Sequence, residues 1–233
     1  EEPLCLYLPL QYPHPPYGVE EPWFSLTDRA AVPARIPEPA DLPNRPRILE
    51  GILQNQKLRG WTEDRWRELR ATYYGMCARV DHQFGMVLQA LRERGFLDDT
   101  AVLFFSDHGD FTGDFGIAEK AQNLFYDPLT RVPLVIRPPR DHPVQPGIRT
   151  GLVELLDVYA TILEFAGLEA PHRHFSRSLL PQVAGETGGY RDAVVCQGGR
   201  RPGEPEASES QSPASQDPLA WYYPRNCLQL KED

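Results

Sequence analysis

The stretch Ala101-Val102-Leu103-Phe104-Phe105 runs straight into Ser106-Asp107-His108-Gly109-Asp110. Past Phe111 and Thr112 it continues as Gly113-Asp114-Phe115-Gly116-Ile117-Ala118-Glu119-Lys120. Five apolar residues without a polar break read as a fully buried strand. Upstream of it, Trp66, Leu69, Tyr73, Met76, Cys77, Val80, Phe84, Val87, Leu88 and Leu91 step by three, four or one, marking one face of a long α-helix. The spacing predicts that helix over Glu63–Arg94. Thr62 is its N-cap, Glu63 and Asp64 put acid where the helix dipole favours it, and Gly95 is its left-handed stop. Downstream, Val132–Ile136 is a second buried strand, whose Pro133 marks an edge or an irregular start. Leu4–Leu8 is a short strand between prolines, Leu152–Phe165 an amphipathic helix ended by Gly167, and Ala193–Val195 a last short strand. Strand alternating with helix is an α/β pattern and predicts a mostly parallel sheet with helices on both faces.

The chain has 233 residues, 41% hydrophobic and 24% charged, enough for one domain with a sizeable core and unlike a disordered chain. Its net charge of −9 argues against nucleic acid or an anionic membrane as partner. No apolar stretch approaches the roughly 20 residues of a membrane span. No basic-then-apolar signal segment opens the chain. A soluble chain is expected, with the cytoplasm favoured, while oligomeric state is not legible. Cys5, Cys77, Cys196 and Cys227 form no CxxC pair, which disfavours a zinc knuckle or a disulfide scaffold. Proline is abundant, at 24 residues. Gln11–Pro46 reads as a long ordered excursion. Gly198–Pro218, rich in Gly, Glu, Ser and Pro, reads as a mobile loop or tail. The chain opens at Glu1 directly before an apolar run and closes on polar residues, so it is expected to be a piece of something longer.

Ligands of open α/β sheets bind beyond the carboxyl ends of the strands. That rule points to Asp107-His108-Gly109 after one strand and to Gln11-Tyr12-Pro13-His14-Pro15-Pro16-Tyr17 after another. Asp107 and His108 reach one cation only if the chain turns sharply, which Gly109 permits. A carboxylate suits a hard cation, and His108 adds a nitrogen donor. From these three residues alone, a strand-end aspartate with a solvated histidine beside it is the plainer reading. Lysine is scarce, with only Lys57, Lys120 and Lys231. An ammonium near a cation site makes sense with an oxyanion such as sulfate or phosphate between them, although Lys120 alone reads as surface charge. His82, His142, His172 and His174 read as structural or solvated, and Arg65, Arg67, Arg70 and Arg79 as an exposed helical face with acidic partners.

Four stretches in order resemble the sulfatases of the alkaline-phosphatase-like superfamily. They are Leu6-Tyr7-Leu8-Pro9-Leu10-Gln11-Tyr12-Pro13-His14-Pro15-Pro16-Tyr17, Tyr73 to Asp81, Phe104 to Lys120, and Thr130-Arg131-Val132-Pro133-Leu134. The resemblance covers about Leu4 to Phe175 and implies metal-dependent cleavage of a small sulfate ester. Asp107 would be a carboxylate ligand of one divalent cation, calcium first, with manganese or magnesium as alternatives. His108 stands where the family places an Asn or His ligand. Lys120 would contact sulfate oxygens, and His14 would bind sulfate or protonate the departing oxygen. The family's nucleophile is a formylglycine hydrate, made from the Cys or Ser of a C-x-P-S-R or C-x-A-x-R motif.

Neither motif occurs in this sequence, and Cys77-Ala78-Arg79 is only an echo of one inside the long helix. The family's paired metal-binding aspartates are also missing from the first strand. Residues 1–185 are therefore expected to be the central part of a sulfatase-like catalytic domain, alkaline-phosphatase-like but incomplete, with 186–233 beginning a C-terminal region. The chain alone is expected to be inactive. The rival readings are a phosphonate monoester or phosphodiester hydrolase of the same superfamily and a non-catalytic remnant acting as a binding module.

Overall fold

The computed structural model describes residues 4–37, 47–121, 124–188, 190–198 and 227–231, which fall into two compact units. The first comprises residues 1–93 and 110–119, the second 94–109 and 120–233.

The first unit is organised on one long helix. Short α1 (Trp23–Leu26) and α2 (Arg47–Asn55) precede α3 (Glu63–Glu93), which runs 31 residues as its apolar spacing predicts. Thr62 caps it, its Oγ1 accepting from the Arg65 amide at 3.3 Å, and Gly95 follows at φ 74°. α3 buries Trp66, Leu69, Ala71, Thr72, Gly75, Met76 and Val80. Trp66 and Leu69 cluster with Leu58 and Ala118, and Tyr17 and Trp61 pack on this group. Gly75 is required there, because a Cβ would overlap the Trp23 carbonyl oxygen where α1 meets α3. Of the four arginines on this helix face, Arg67 pairs with Asp64, Arg79 with Glu20 and the largely buried Arg70 with Asp114, while Arg65 lies over the Trp61 ring, 4.1 Å from its centroid. His82 is exposed and tilts against Trp23, with ring centroids 5.2 Å apart.

The second unit contains β1 (Val102–Phe105), α4 (Asp127–Thr130), β2 (Leu134–Arg137), α5 (Asp157–Phe165), α6 (Leu180–Val183), β3 (Val194–Gly198) and β4 (Cys227–Lys231). β1 pairs antiparallel with β2, Phe105 opposite Leu134 and Val102 opposite Arg137, and β3 pairs antiparallel with β4. The expected mostly parallel sheet is therefore not found among the described residues. A parallel return needs a crossover, usually a helix of some length. The connection from β1 to β2 spends its residues on a loop, one 3₁₀ turn and the four-residue α4. β1 is only partly buried rather than fully so, and β2 begins just after Pro133 with Val135 58% exposed. Leu4–Leu8 is not a strand: it has no regular structure and is exposed, Leu4 at 89% and Tyr7 at 76%, with no ladder partner among the described residues. The expected loop Gly198–Pro218 lies outside the described residues except for Gly198, which closes β3.

α5 starts at Asp157 rather than Leu152. The Asp157 carboxylate reaches back to accept the Glu154 amide at 2.9 Å, which ties the preceding turn to the helix start. It also accepts the Arg177 amide at 2.8 Å and pairs with Arg191, which lies 3.4 Å from Glu154 as well. Asp157 is fully buried, and the Arg191 side chain is 9% exposed. Removing one partner of a buried pair leaves an uncompensated charge, so Asp157→Ala is expected to destabilise the chain by about 3–5 kcal/mol in chemical denaturation. Arg67→Ala, which breaks an exposed pair, should cost less than about 1 kcal/mol.

Candidate functional site

Asp107 and His108 follow β1 directly. The His108 amide donates to Asp107 Oδ1 at 3.0 Å, and His108 Nδ1 lies 2.8 Å from the Gly109 carbonyl oxygen. A carbonyl can only accept, so Nδ1 carries a proton in this contact, and Nε2 is the ring nitrogen nearer Asp107. That Nε2 lies 3.8 Å from Asp107 Oδ2. A proton on Nε2 would make this an ion pair, and a cation between the two atoms would serve equally. The gap is shorter than two metal–ligand bonds of about 2.1–2.5 Å end to end, so one cation can touch both. The carboxylate of Asp107 stands 86% exposed. Two donors fall well short of the six to eight oxygens calcium takes. Among the described residues, no three His, Cys, Asp or Glu side chains gather closely enough to hold a metal ion.

Gly109 does its work through close approach rather than a left-handed turn. Its amide donates to the Leu129 carbonyl at 2.8 Å, and a Cβ would overlap the Pro128 carbonyl oxygen. This backbone contact seats the Asp-His-Gly turn on α4 within the second unit.

In the first unit, residues 110–118 form a closed loop. The left-handed positions fall on Thr112 (φ 45°), Gly113, Phe115 (φ 56°) and Gly116. Two non-glycine residues in that region cost of order 1–3 kcal/mol each and persist only where surroundings impose them. Here Phe111 and Ile117 are fully buried, and the Gly113 and Asp114 amides bond to Ile117 and Phe111 carbonyls. The Phe115 amide donates to the Ile36 carbonyl at 2.9 Å, while Asp114 Oδ1 accepts the Ile36 amide at 2.7 Å and meets Arg70 at 3.1 Å.

His14 is exposed in a turn closed by its amide on the Gln11 carbonyl at 3.0 Å, with Nδ1 2.7 Å from the Pro15 oxygen. Lys120 is half-buried in the second unit. Asp107 and His108 are thus brought together within their own unit, and His14 belongs to the other. His172 and His174 both pack on Tyr159, at 5.8 and 5.4 Å, and Ser176 Oγ lies 2.6 Å from His174 Nδ1.

Two residues escaped the sequence reading. Tyr17 donates its hydroxyl into the space between Asp110 and Ala118, and Asp110 also accepts the Thr112 amide at 2.8 Å. A phenol three residues past a candidate histidine, in a run of prolines, was the signal available. Burial, then the Asp110 charge, pushes the Tyr17 phenol well above its ordinary range, and burial does the same to Tyr73. Burial and Asp110 together push the Cys77 thiol up to about 11, so at neutral pH it lacks the thiolate character of a reactive cysteine.

The sulfatase family profile matches residues 1–168. The chain belongs to the sulfatase family. The multifunctional alkaline phosphatase superfamily protein PehA of Trinickia caryophylli is 32% identical over 78% of this chain and 38% of its own length. Arylsulfatase K of Xenopus laevis is 38% identical over 53% of this chain and 22% of its own. Phosphonate monoester hydrolase SpPMH from Silicibacter pomeroyi superposes with a TM-score of 0.71 at 27% identity, over 88% of this chain and 41% of that one. The fold is accordingly that of alkaline-phosphatase-like hydrolases, and the chain spans 22% to 41% of the length of these relatives. No helix among the described residues is long and apolar enough to cross a membrane.

The Cys77 environment predicts both reactivity and pH dependence. At pH 8, iodoacetamide should label exposed Cys5 promptly and Cys77 only on unfolding, as read by peptide mass. The folded thiol holds its proton up to about 11 against an ordinary value of 9.0. Its contribution is therefore complete below pH 9 and lost as pH rises toward 11, with Tyr17 and Tyr73 acting in the same sense. Denaturant midpoints should fall over that range.

Proposed function

We propose that the protein carrying this chain is a sulfuric ester hydrolase whose chemistry draws on His14, Asp107, His108 and Lys120. The observation that carries the reading is the paired presentation of Asp107 Oδ2 and His108 Nε2, 3.8 Å apart, at the end of a strand in a sulfatase-family chain. Sulfatases use a divalent cation, and Asp107 and His108 would hold one edge of it, with calcium the expected ion. When bound, such an ion would neutralise charge on the sulfate oxygens. Lys120 would face those oxygens from another side.

His14 acts on the leaving group. With Nδ1–H donated to the Pro15 carbonyl, the proton available to substrate is on Nε2 of the imidazolium. It passes to the ester oxygen as the S–O bond breaks, so a neutral alcohol departs and a neutral ring remains, its other proton still held by Pro15. Residues 1–185 would be the central part of the catalytic domain, and 186–233 the start of a C-terminal region. The larger sheet, mostly parallel with helices on both faces, would be completed by residues beyond this sequence. The substrate is proposed to be a small sulfate ester, since a net charge of −9 repels a long polyanion. The family's nucleophile motif does not occur in these residues. This chain alone is therefore proposed not to turn over.

A second reading, phosphonate monoester hydrolysis, is favoured by the likeness to SpPMH. Both substrates offer a tetrahedral anion to the same residues. The complete gene product, assayed with p-nitrophenyl sulfate and with a p-nitrophenyl phosphonate ester, should prefer the sulfate. Asp107→Ala or Lys120→Ala should lower kcat about 10²–10³-fold, and a chelator should abolish turnover. Equal activity of wild type and Asp107→Ala would overturn the reading, and so would turnover by residues 1–233 alone.

A further inference from the structure

Near His14, the opening segment meets loop 110–118 through the Tyr17 side chain. The Tyr17 hydroxyl lies 2.8 and 3.0 Å from the two Asp110 carboxylate oxygens and 2.7 Å from the Ala118 carbonyl oxygen. Those acceptors sit at the two ends of the loop. The Thr112 amide reaches the same pair, Asp110 Oδ1 at 2.8 Å and the Ala118 oxygen at 3.0 Å. Two donors therefore share two acceptors across the loop's neck, and one of the donors comes from another segment of chain. The Tyr17 ring is locked in turn: it meets Tyr73 of α3 edge-on at 6.3 Å and packs on the Leu58, Trp66, Leu69 and Ala118 cluster. Burial keeps the phenol protonated, so it remains a donor across the neutral range.

Between Tyr17 and His14 stand only Pro15 and Pro16, and Pro13 precedes the histidine. Proline fixes φ, so the segment is a short stiff lever rather than a slack tether. Placing the Tyr17 hydroxyl then places the His14 ring. The anchor point, Ala118, is also two residues ahead of Lys120 in the chain.

We propose that Tyr17 is a positioning residue, whose hydroxyl bonds to Asp110 and Ala118 hold His14 in register with loop 110–118 for proton delivery to the leaving oxygen. This rests on the hydrolase reading above. It deepens that reading by assigning leaving-group activation to a two-part device in which one side chain carries the proton and the other sets its aim.

The test separates aim from folding by varying the leaving group. An activated ester such as p-nitrophenyl sulfate needs little protonation, whereas an alkyl sulfate depends on it. In the complete gene product, Tyr17→Phe should lower kcat on the alkyl ester about tenfold or more, while kcat on p-nitrophenyl sulfate falls less than about threefold. His14→Ala should show the same pattern, and the double variant should lose little beyond His14→Ala. Equal losses on both esters, or multiplicative losses in the double variant, overturn the proposal. A second measurement does not depend on turnover. Hydrogen exchange of residues 11–17 and 110–118 should speed up in Tyr17→Phe while α3 keeps its protection. Unchanged exchange in residues 11–17 overturns the proposal even if no ester is ever cleaved. Wild-type inertness toward both esters would instead overturn the hydrolase reading.

Discussion

The first unit depends on closure of loop 110–118. Its two ends, the Asp110 carboxylate and the Ala118 carbonyl, accept from one shared pair of donors. Left-handed backbone at Thr112 and Phe115 is unfavourable in isolation. Burial of Phe111 and Ile117 from opposite sides of the loop, with Asp114 tied to Arg70 and the Ile36 amide, offsets that strain. The loop therefore has one conformation available to it, which is the condition under which side chains hung from its ends keep fixed directions.

The local elements were legible because their signals are local. The face of α3 was written in a run of apolar residues long enough to outweigh Gly75 and Gly85, and its ends were marked by Thr62 and Gly95. The sheet was less legible. A run such as Ala101–Phe105 specifies a strand but not its neighbours, and strand direction is set by what the connection does. Here the connection builds a loop instead of a crossover helix, and the β1–β2 pair is antiparallel. Leu4–Leu8 makes the same point from the other side. Its five residues have strand character, yet without a ladder partner among the described residues they stay irregular and exposed.

Asp157 and Gly109 show where sequence reading runs out. A buried aspartate at a helix start looks like any first-turn acid until two of its partners, the Arg177 amide and the Arg191 guanidinium, are seen to come from distant positions. Gly109 looked like a turn residue, and its real constraint is the Pro128 carbonyl, some twenty residues on. Glycine chosen for conformation and glycine chosen for clearance cannot be told apart in one dimension, although they respond oppositely to neighbours. A left-handed glycine is strained by any side chain, whereas a crowded one could regain tolerance if the opposing backbone moved.

The short run Asp107-His108-Gly109-Asp110 divides its two carboxylates by environment. Asp110 is engaged by a phenol and a backbone amide inside the first unit. Asp107 keeps one backbone amide and leaves Oδ2 turned toward Nε2 of its neighbour's imidazole, 86% of the side chain in solvent. A carboxylate kept for structure is normally enclosed by donors, because each unsatisfied oxygen is a loss once water is excluded. Asp107 is instead open to water, and a cation or a proton on the neighbouring ring would each pair with its free oxygen. The plainer reading of Asp107, a loop-capping residue, accounts for its Oδ1. It does not account for the ring of His108 being held by the Gly109 carbonyl with Nε2 toward Oδ2. That orientation is what supports the proposed role of the pair as a ligand edge.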